Sequence, residues 1–218
     1  MKIELTFVFL AYTLRQKKYI IINNFKNMKK IMIVAVLMFG VLAFTTKNTK
    51  VEPKAQTTEI NWMSFEQAIA AQKADPKKIF IDAYTNWCGP CKLLDKNTFH
   101  NPSVVKYINE HYYAVKFNAE GNEKITFQGK TYTNPNYNPA KPNARNSSHQ
   151  LSRYYRINSY PTMLFLDDNA AYLTSVKGYR TPKQLELYLK LFGENDYKTI
   201  KTSAEWESYQ KNFNYTFE

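Results

Sequence analysis

The chain has 218 residues, a formal charge of +12 and 44% hydrophobic residues. At roughly 100–200 residues per domain, this length suggests one domain with appendages. An aromatic content of 16% excludes intrinsic disorder for most of the chain. The two cysteines are too few for a disulfide-stapled scaffold, so we expect a hydrophobic core.

The positive charge is concentrated at the N-terminus. Residues 1–46 hold seven basic residues against one acid, Glu4, and therefore carry half of the net charge. The other half is spread over a longer stretch of ordinary composition, without a basic cluster interleaved with stacking aromatic residues. We therefore predict no nucleic-acid partner. Positive charge spread in this way favours solubility and a weak attraction to acidic partners.

The first 46 residues are typical of an export leader. Met28–Lys30 precedes a nearly unbroken apolar run, Ile31–Phe44, as in a secretory signal peptide. This run is shorter than the roughly 20 residues that a permanent spanning helix needs. We predict that translation starts at Met28 and that residues 1–27 are an upstream extension. A genuine long leader and an uncleaved membrane anchor are the alternatives; each places the protein outside the cytoplasm, in the periplasm or anchored to the envelope.

Residues 47–58 are polar and aperiodic, which indicates a linker. A capping-box pattern at Ser64 then opens a predicted helix through Ala74. An apolar and β-branched run predicts a buried strand over residues 78–84. The helical stretch that follows the cysteines is expected to end at Asn97.

The next elements are a helix that begins at Pro102 and a strand over residues 112–118. An insert over residues 119–148 follows. It combines a hairpin on a Gly129-Lys130 turn with an Asn- and Pro-rich surface loop. Its tyrosines, Tyr132 and Tyr137, could contact a partner or cover the sheet edge.

The last part of the chain returns to regular alternation. We predict a helix over residues 149–156, strands over 161–166 and 172–176, and a helix over 181–192 opened by proline at its first position. A tail helix over residues 203–213 places Trp206, Tyr209 and Phe213 on one face, and we expect it to dock on the domain.

Both cysteines lie in one motif, Trp87-Cys88-Gly89-Pro90-Cys91, at a strand-to-helix junction. A cysteine at a helix N-terminus has its thiolate stabilised by free N–H groups and the helix dipole, and the thiolate is the form that attacks disulfides. Cys91, one turn inside the helix, can close a disulfide with Cys88 and release a bound substrate. The motif therefore predicts a redox-active dithiol.

Two other interpretations of the cysteine pair are weaker. A zinc site needs two more ligands, but the histidines His100, His111 and His149 are scattered along the chain, so we predict no metal. A purely structural disulfide across two residues closes too small a loop to restrict the unfolded chain much.

On this motif, the chain resembles the thioredoxin superfamily over about residues 59–193. The resemblance implies an α/β thioredoxin fold, with a central mixed β-sheet flanked by helices. The insert and a C-terminal extension helix within residues 194–218 are additions to it. The stretch over residues 98–105 is similar to exported thioredoxin-like domains, including the C-terminal domain of membrane disulfide reductases.

The resemblance also assigns roles to residues outside the motif. Asp82 matches the buried carboxylate that takes a proton from the resolving cysteine, and Lys116 matches the lysine that pairs with it. Because Asp82 lies inside an apolar strand, we expect burial to raise its pKa. A surface position for Asp82 or Lys116 is the alternative. Lys92 and Asp95 are expected on a solvated helix face.

Further matches outline a substrate groove. Tyr160 and Pro161 match the cis-proline motif that binds the substrate backbone, and Gly178 matches the glycine that lines the groove. Gly89 and Pro90, between the cysteines, belong to the same surface. Trp87 is expected to shield the cysteines and contact substrate, with plain packing as the alternative.

Together these residues predict an exported thiol–disulfide oxidoreductase that needs no bound cofactor beyond its own disulfide. The expected substrates are protein disulfides. The Gly-Pro pair favours the reductive direction, which in an oxidising compartment requires a membrane-borne electron donor. The alternatives are a binding or chaperone module with incidental cysteines and a specialised thiol donor in cytochrome c maturation.

Overall fold

A computed structural model describes residues 58–217 of the chain. The predicted leader, 1–46, and the linker up to residue 57 lie outside the described residues. Within the described part, none of the helices is both long and apolar enough to cross a membrane.

Seven strands form two sheets within residues 58–217. In chain order, the strands are β1 (Trp62–Met63), β2 (Lys78–Tyr84), β3 (Tyr112–Asn118), β4 (Ile125–Phe127), β5 (Lys130–Tyr132), β6 (Thr162–Leu166) and β7 (Tyr172–Lys177). The main sheet has the order β1-β3-β2-β6-β7, and β4 pairs only with β5. Strands β1, β3 and β2 are parallel, whereas β6 and β7 are antiparallel to their neighbours. The predicted mixed central sheet is therefore confirmed.

The described part of the chain also contains six α-helices: α1 (Phe65–Ala74), α2 (Gly89–Leu94), α3 (Pro102–His111), α4 (Gln150–Tyr154), α5 (Pro182–Gly193) and α6 (Ser203–Asn212). The predicted capping box of α1 is present, since Ser64 and Gln67 exchange side-chain-to-backbone hydrogen bonds. The helix expected to run to Asn97 instead ends at Leu94 and continues as a π-helical turn, Asp95–Phe99. Strand β1 was not predicted, because two residues are too few to form a pattern.

The central strand β2 separates two hydrophobic cores. Its side chains alternate, so Phe80 belongs to the core under α3 and α5, while Ile81 belongs to the core under α1. Burial on both faces explains why apolar residues follow one another over residues 79–81 without the alternation of a half-exposed strand. The same alternation places Asp82 and Phe80 on the same face of the sheet.

The insert packs against α1. Phe127 of the hairpin meets Phe65 edge-to-face at 5.0 Å between ring centroids. Tyr132 is buried beside Tyr154, so it takes part in packing, while Tyr137 is half-buried. The loop after the hairpin is irregular, as predicted. The buried side chain of Asn134 donates to the backbone carbonyls of Gly121, before the hairpin, and Ser147, at the end of the loop.

The C-terminal extension docks mainly through the segment after α6. Trp206 is half-buried, with its ring 6.4 Å from that of Tyr188, but no residue of α6 is fully buried. The buried carboxylate of Glu186 on α5 accepts hydrogen bonds from the backbone N–H groups of Thr216 and Phe217. Burial alone would raise the pKa of Glu186, but these hydrogen bonds and its pairing with Lys190 lower it overall.

Candidate active site

The two cysteines form a disulfide at the start of α2. The sulfur atoms are 2.09 Å apart, and Cys88 is the N-cap residue, with its Sγ accepting a hydrogen bond from the backbone N–H of Cys91 at 3.1 Å. Gly89 and Pro90 are exposed in the first turn, where the missing N–H of proline costs no intrahelical hydrogen bond. The structure therefore places Cys88 where backbone N–H groups stabilise a thiolate.

The predicted groove residues lie on the neighbouring loops. The Tyr160–Pro161 peptide bond is cis, as the resemblance implied. Gly178, with φ of 83°, donates its N–H to the carbonyl of Pro161 at 2.8 Å. The Tyr160 ring packs edge-to-face on Trp87 at 5.8 Å. The structure thus joins the cis-proline loop, Gly178 and the residue before Cys88 in one surface.

Beneath this surface lies a buried carboxylate. Asp82 is 1% exposed, so its predicted burial is confirmed. It is the register partner of Lys116, whose Nζ is 3.0 Å from Asp82 Oδ2. Asp82 Oδ1 has no hydrogen-bond partner among the described residues. Burial raises the pKa of Asp82, and Lys116 opposes this effect only in part.

Asp95 corrects an expectation from the sequence. Instead of lying only on a solvated helix face, it contacts Lys116 Nζ through Oδ1 at 2.6 Å. Although burial lowers the pKa of Lys116, the two carboxylates raise it overall. Asp95 is four positions after Cys91, and this helical spacing was the available signal that both lie on one face. Lys92, in contrast, is exposed as expected.

A cleft of about 490 Å³ opens beside Cys91. Cys91, Asp95 and Lys116 line it, together with Asn86 and, from the insert, Asn143. The Asp82–Lys116–Asp95 group is therefore open to the cleft through Lys116 and Asp95.

Glu120 is a site residue that sequence reasoning missed. Its Oε2 accepts hydrogen bonds from Trp87 Nε1 at 2.7 Å and from the backbone N–H of Asn146 at 2.8 Å. Burial, together with the nearby Glu120 carboxylate, raises the pKa of Tyr160 to about 12. Glu120 thus ties the cysteine motif to the insert. Its position two residues after the end of β3 was the only sequence signal, and no motif marks it.

Two cysteines held in this way can exchange reversibly between a dithiol and a disulfide, and they can pass that state to another protein. The site therefore defines the domain as a thiol–disulfide oxidoreductase. Within the described residues, no three His, Cys, Asp or Glu side chains are grouped so that they could hold a metal ion.

Comparison with known sequences identifies the family. A family model described as a thioredoxin-like domain matches residues 65–193, and the chain belongs to that family. The chain is 25% identical over 181 residues to the thiol:disulfide interchange protein DsbD of Haemophilus ducreyi, an alignment that covers 76% of the chain but only 27% of that relative. It is 24% identical over 172 residues to the thiol-disulfide oxidoreductase ResA of Bacillus thuringiensis, covering 72% of the chain and 92% of the relative.

A similar solved structure is a putative disulphide-isomerase from Bacteroides thetaiotaomicron. It is 27% identical, with a TM-score of 0.43 and coverage of 64% of this chain and 97% of that chain.

Proposed function

We propose that this protein is an exported reductase of protein disulfides that works in the cell envelope through the Cys88–Cys91 pair. The observation that carries the proposal is the position of Cys88 as N-cap of α2, with its Sγ bound to a backbone N–H. That position favours a thiolate nucleophile. The names of the DsbD and ResA relatives support the same chemistry.

The proposed reaction starts from the reduced pair. The Cys88 thiolate attacks one sulfur of a substrate disulfide, forms a mixed disulfide and displaces the other substrate sulfur as a thiolate. The Cys91 thiol loses its proton and attacks the Cys88 sulfur, which releases the second substrate thiol. Two electrons pass from the dithiol to the substrate, and the enzyme is left with the disulfide that the structure contains.

Asp82 is the proposed acceptor of the Cys91 proton. Its raised pKa makes it a better proton acceptor than an exposed carboxylate, and its free Oδ1 leaves a hydrogen-bonding position unoccupied. Lys116, shared with Asp95, favours the return of Asp82 to its charged form after each turnover. The cleft beside Cys91 offers a route for the proton to solvent.

The groove of Trp87, Tyr160, Pro161 and Gly178 is the proposed binding surface for the substrate backbone. The hydrogen bond from the N–H of Gly178 to the carbonyl of Pro161 holds these two segments together. Regeneration of the dithiol outside the cytoplasm requires a reductant, and we propose a membrane-borne dithiol protein as the electron donor.

The test uses the purified chain and its cysteine variants. The wild-type chain should reduce insulin disulfides with a chemical reductant as electron source, and Cys88→Ser and Cys91→Ser should each abolish this activity. In cells, Cys91→Ser should retain substrate proteins through a disulfide to Cys88 that dithiothreitol releases. The Cys88→Ser, Cys91→Ser double variant is the matched control and should retain none.

If Cys91→Ser retains no protein and the double variant keeps the cellular phenotype, the redox proposal is wrong. A binding or chaperone function of the groove would then be favoured.

A further inference from the structure

The insert places an arginine on the tryptophan of the cysteine motif. The guanidinium carbon of Arg145 lies 4.4 Å from the centroid of the Trp87 ring, within the range of a cation–π contact. Arg145 is exposed and forms no ion pair with any carboxylate among the described residues. A guanidinium in this environment keeps N–H donors free for an incoming group.

The backbone that carries Arg145 is anchored on both sides. Asn86, which precedes Trp87, donates from Nδ2 to the carbonyl of Pro142 at 2.7 Å. On the other side, the backbone N–H of Asn146 donates to Glu120. Asn86 directly precedes the cysteine motif, and Glu120 is hydrogen-bonded to Trp87 of that motif. The two anchors therefore position Arg145 relative to Cys88.

Two cations near the disulfide, Arg145 and Lys92, form no ion pair among the described residues. Glu120 is engaged by two N–H donors, and Asp95 is paired with Lys116. Lys92, which lines the cleft beside Cys91, is exposed and has no ion-pair partner among the residues that the structure describes. A partner that docks here with an acidic segment meets complementary charge at both places.

We propose that Arg145 determines substrate specificity by binding a carboxylate of the substrate protein close to its disulfide. The substrates so selected are polypeptides with Asp or Glu next to the cysteines. A guanidinium stacked on an aromatic ring is held in one orientation and can donate two parallel hydrogen bonds to a carboxylate, which a lysine cannot reproduce. This inference rests on the proposed disulfide reductase function.

The test compares two synthetic peptides of equal length that contain the same disulfide, flanked either by glutamates or by glutamines. With the full chain and a chemical reductant, Arg145→Gln should lower kcat/KM for the acidic peptide by about fivefold, the size expected for one ion pair. The glutamine peptide should be reduced as fast as by the wild type. Arg145→Lys should restore only part of the lost preference.

The control variant is Lys106→Gln on α3, which removes one positive charge from an exposed side chain. It should leave both peptides unaffected. Because charge attraction is screened by salt, the wild-type preference for the acidic peptide should decline between 0.05 M and 0.5 M NaCl.

An equal loss on both peptides in Arg145→Gln would show a merely structural role for the arginine and overturn the inference. Equal rates of the wild type on both peptides would overturn it as well. If the wild type reduces neither peptide, the proposed reductase function itself fails, which is a distinct result.

Discussion

Two regions surround the disulfide, and they differ in origin. The charged group below it, Asp82 with Lys116 and Asp95, comes from strands of the central sheet and the turn after α2. The rim beside it is built by the insert, through Glu120 and Arg145. The first region is buried or half-buried and contacts no substrate in the proposed mechanism, whereas the second is open to an approaching protein.

This difference separates two kinds of effect. Changes below the disulfide should alter the rate for every substrate and its dependence on pH. Changes in the rim should alter which substrates are used. Single substitutions in the two regions can break that separation, and the largest effect is expected below the disulfide.

Asp82→Asn should give the largest loss of activity. An asparagine cannot accept the Cys91 proton, so the rate of insulin reduction near neutral pH should fall by about 10²-fold, the lower end of a general-base contribution. Peptides of different charge should be affected equally. A loss confined to one class of peptide would contradict the assigned role.

The same variant should be more stable than the wild type. Because the pKa of Asp82 is higher in the folded chain than in the unfolded chain, the folded state binds more protons between the two values. The wild type therefore loses stability as pH rises through that window, and Asp82→Asn does not. Urea unfolding should show a gain in stability at neutral pH that vanishes below the unfolded-state pKa.

The sequence predicted more of the first region than of the second. The apolar run of β2 predicted the burial of Asp82, and family resemblance supplied its pairing with Lys116. The contacts of Glu120 and Arg145 with Trp87 join residues 33 and 58 positions apart, and they depend on how the insert folds, for which the sequence has no periodic signal.

Two other local features could not be predicted from the sequence, for different reasons. The π-helical turn over Asp95–Phe99 follows a regular helical pattern, so its start at Asp95 could not be read from periodicity. The buried Glu186 resembles any exposed helical glutamate until the C-terminal segment folds back on it.

Glu120→Gln should have an intermediate effect. The indole N–H of Trp87 and the backbone N–H of Asn146 lose their charged acceptor, which weakens each hydrogen bond. We expect an increase in KM of about tenfold for protein substrates, with a smaller change in kcat. KM and kcat are both measured with insulin as substrate. A change mainly in KM indicates a role in positioning, whereas a change mainly in kcat indicates a role in proton transfer.

Glu186→Gln serves as the control for Glu120→Gln. It removes a carboxylate that is far from the disulfide in sequence and accepts hydrogen bonds from the backbone N–H groups of Thr216 and Phe217. Because the pKa of Glu186 is lowered in the folded chain, its contribution to stability is present above the unfolded-state pKa and is lost as pH falls through the folded-state value. The variant should lose about 2 kcal/mol of stability at neutral pH and keep its KM.

Asp95→Asn should have the smallest effect. It removes a charge that raises the pKa of Asp82 and leaves Lys116 to pair with Asp82 alone. The acid limb of the pH–rate profile should therefore move to lower pH, with the maximal rate changed less than about threefold. Movement of that limb to higher pH would show that the shared lysine does not couple the two carboxylates.

The central claim is that Cys88 and Cys91 form a reducing dithiol, and the reduction potential of the pair tests it most directly. Equilibration of the purified chain with defined ratios of reduced and oxidised dithiothreitol, followed by alkylation of free thiols, gives this value. We predict a potential close to that of thioredoxin, about −270 mV. A value near −120 mV, as in a strong oxidant, would reverse the direction of electron flow and contradict the account.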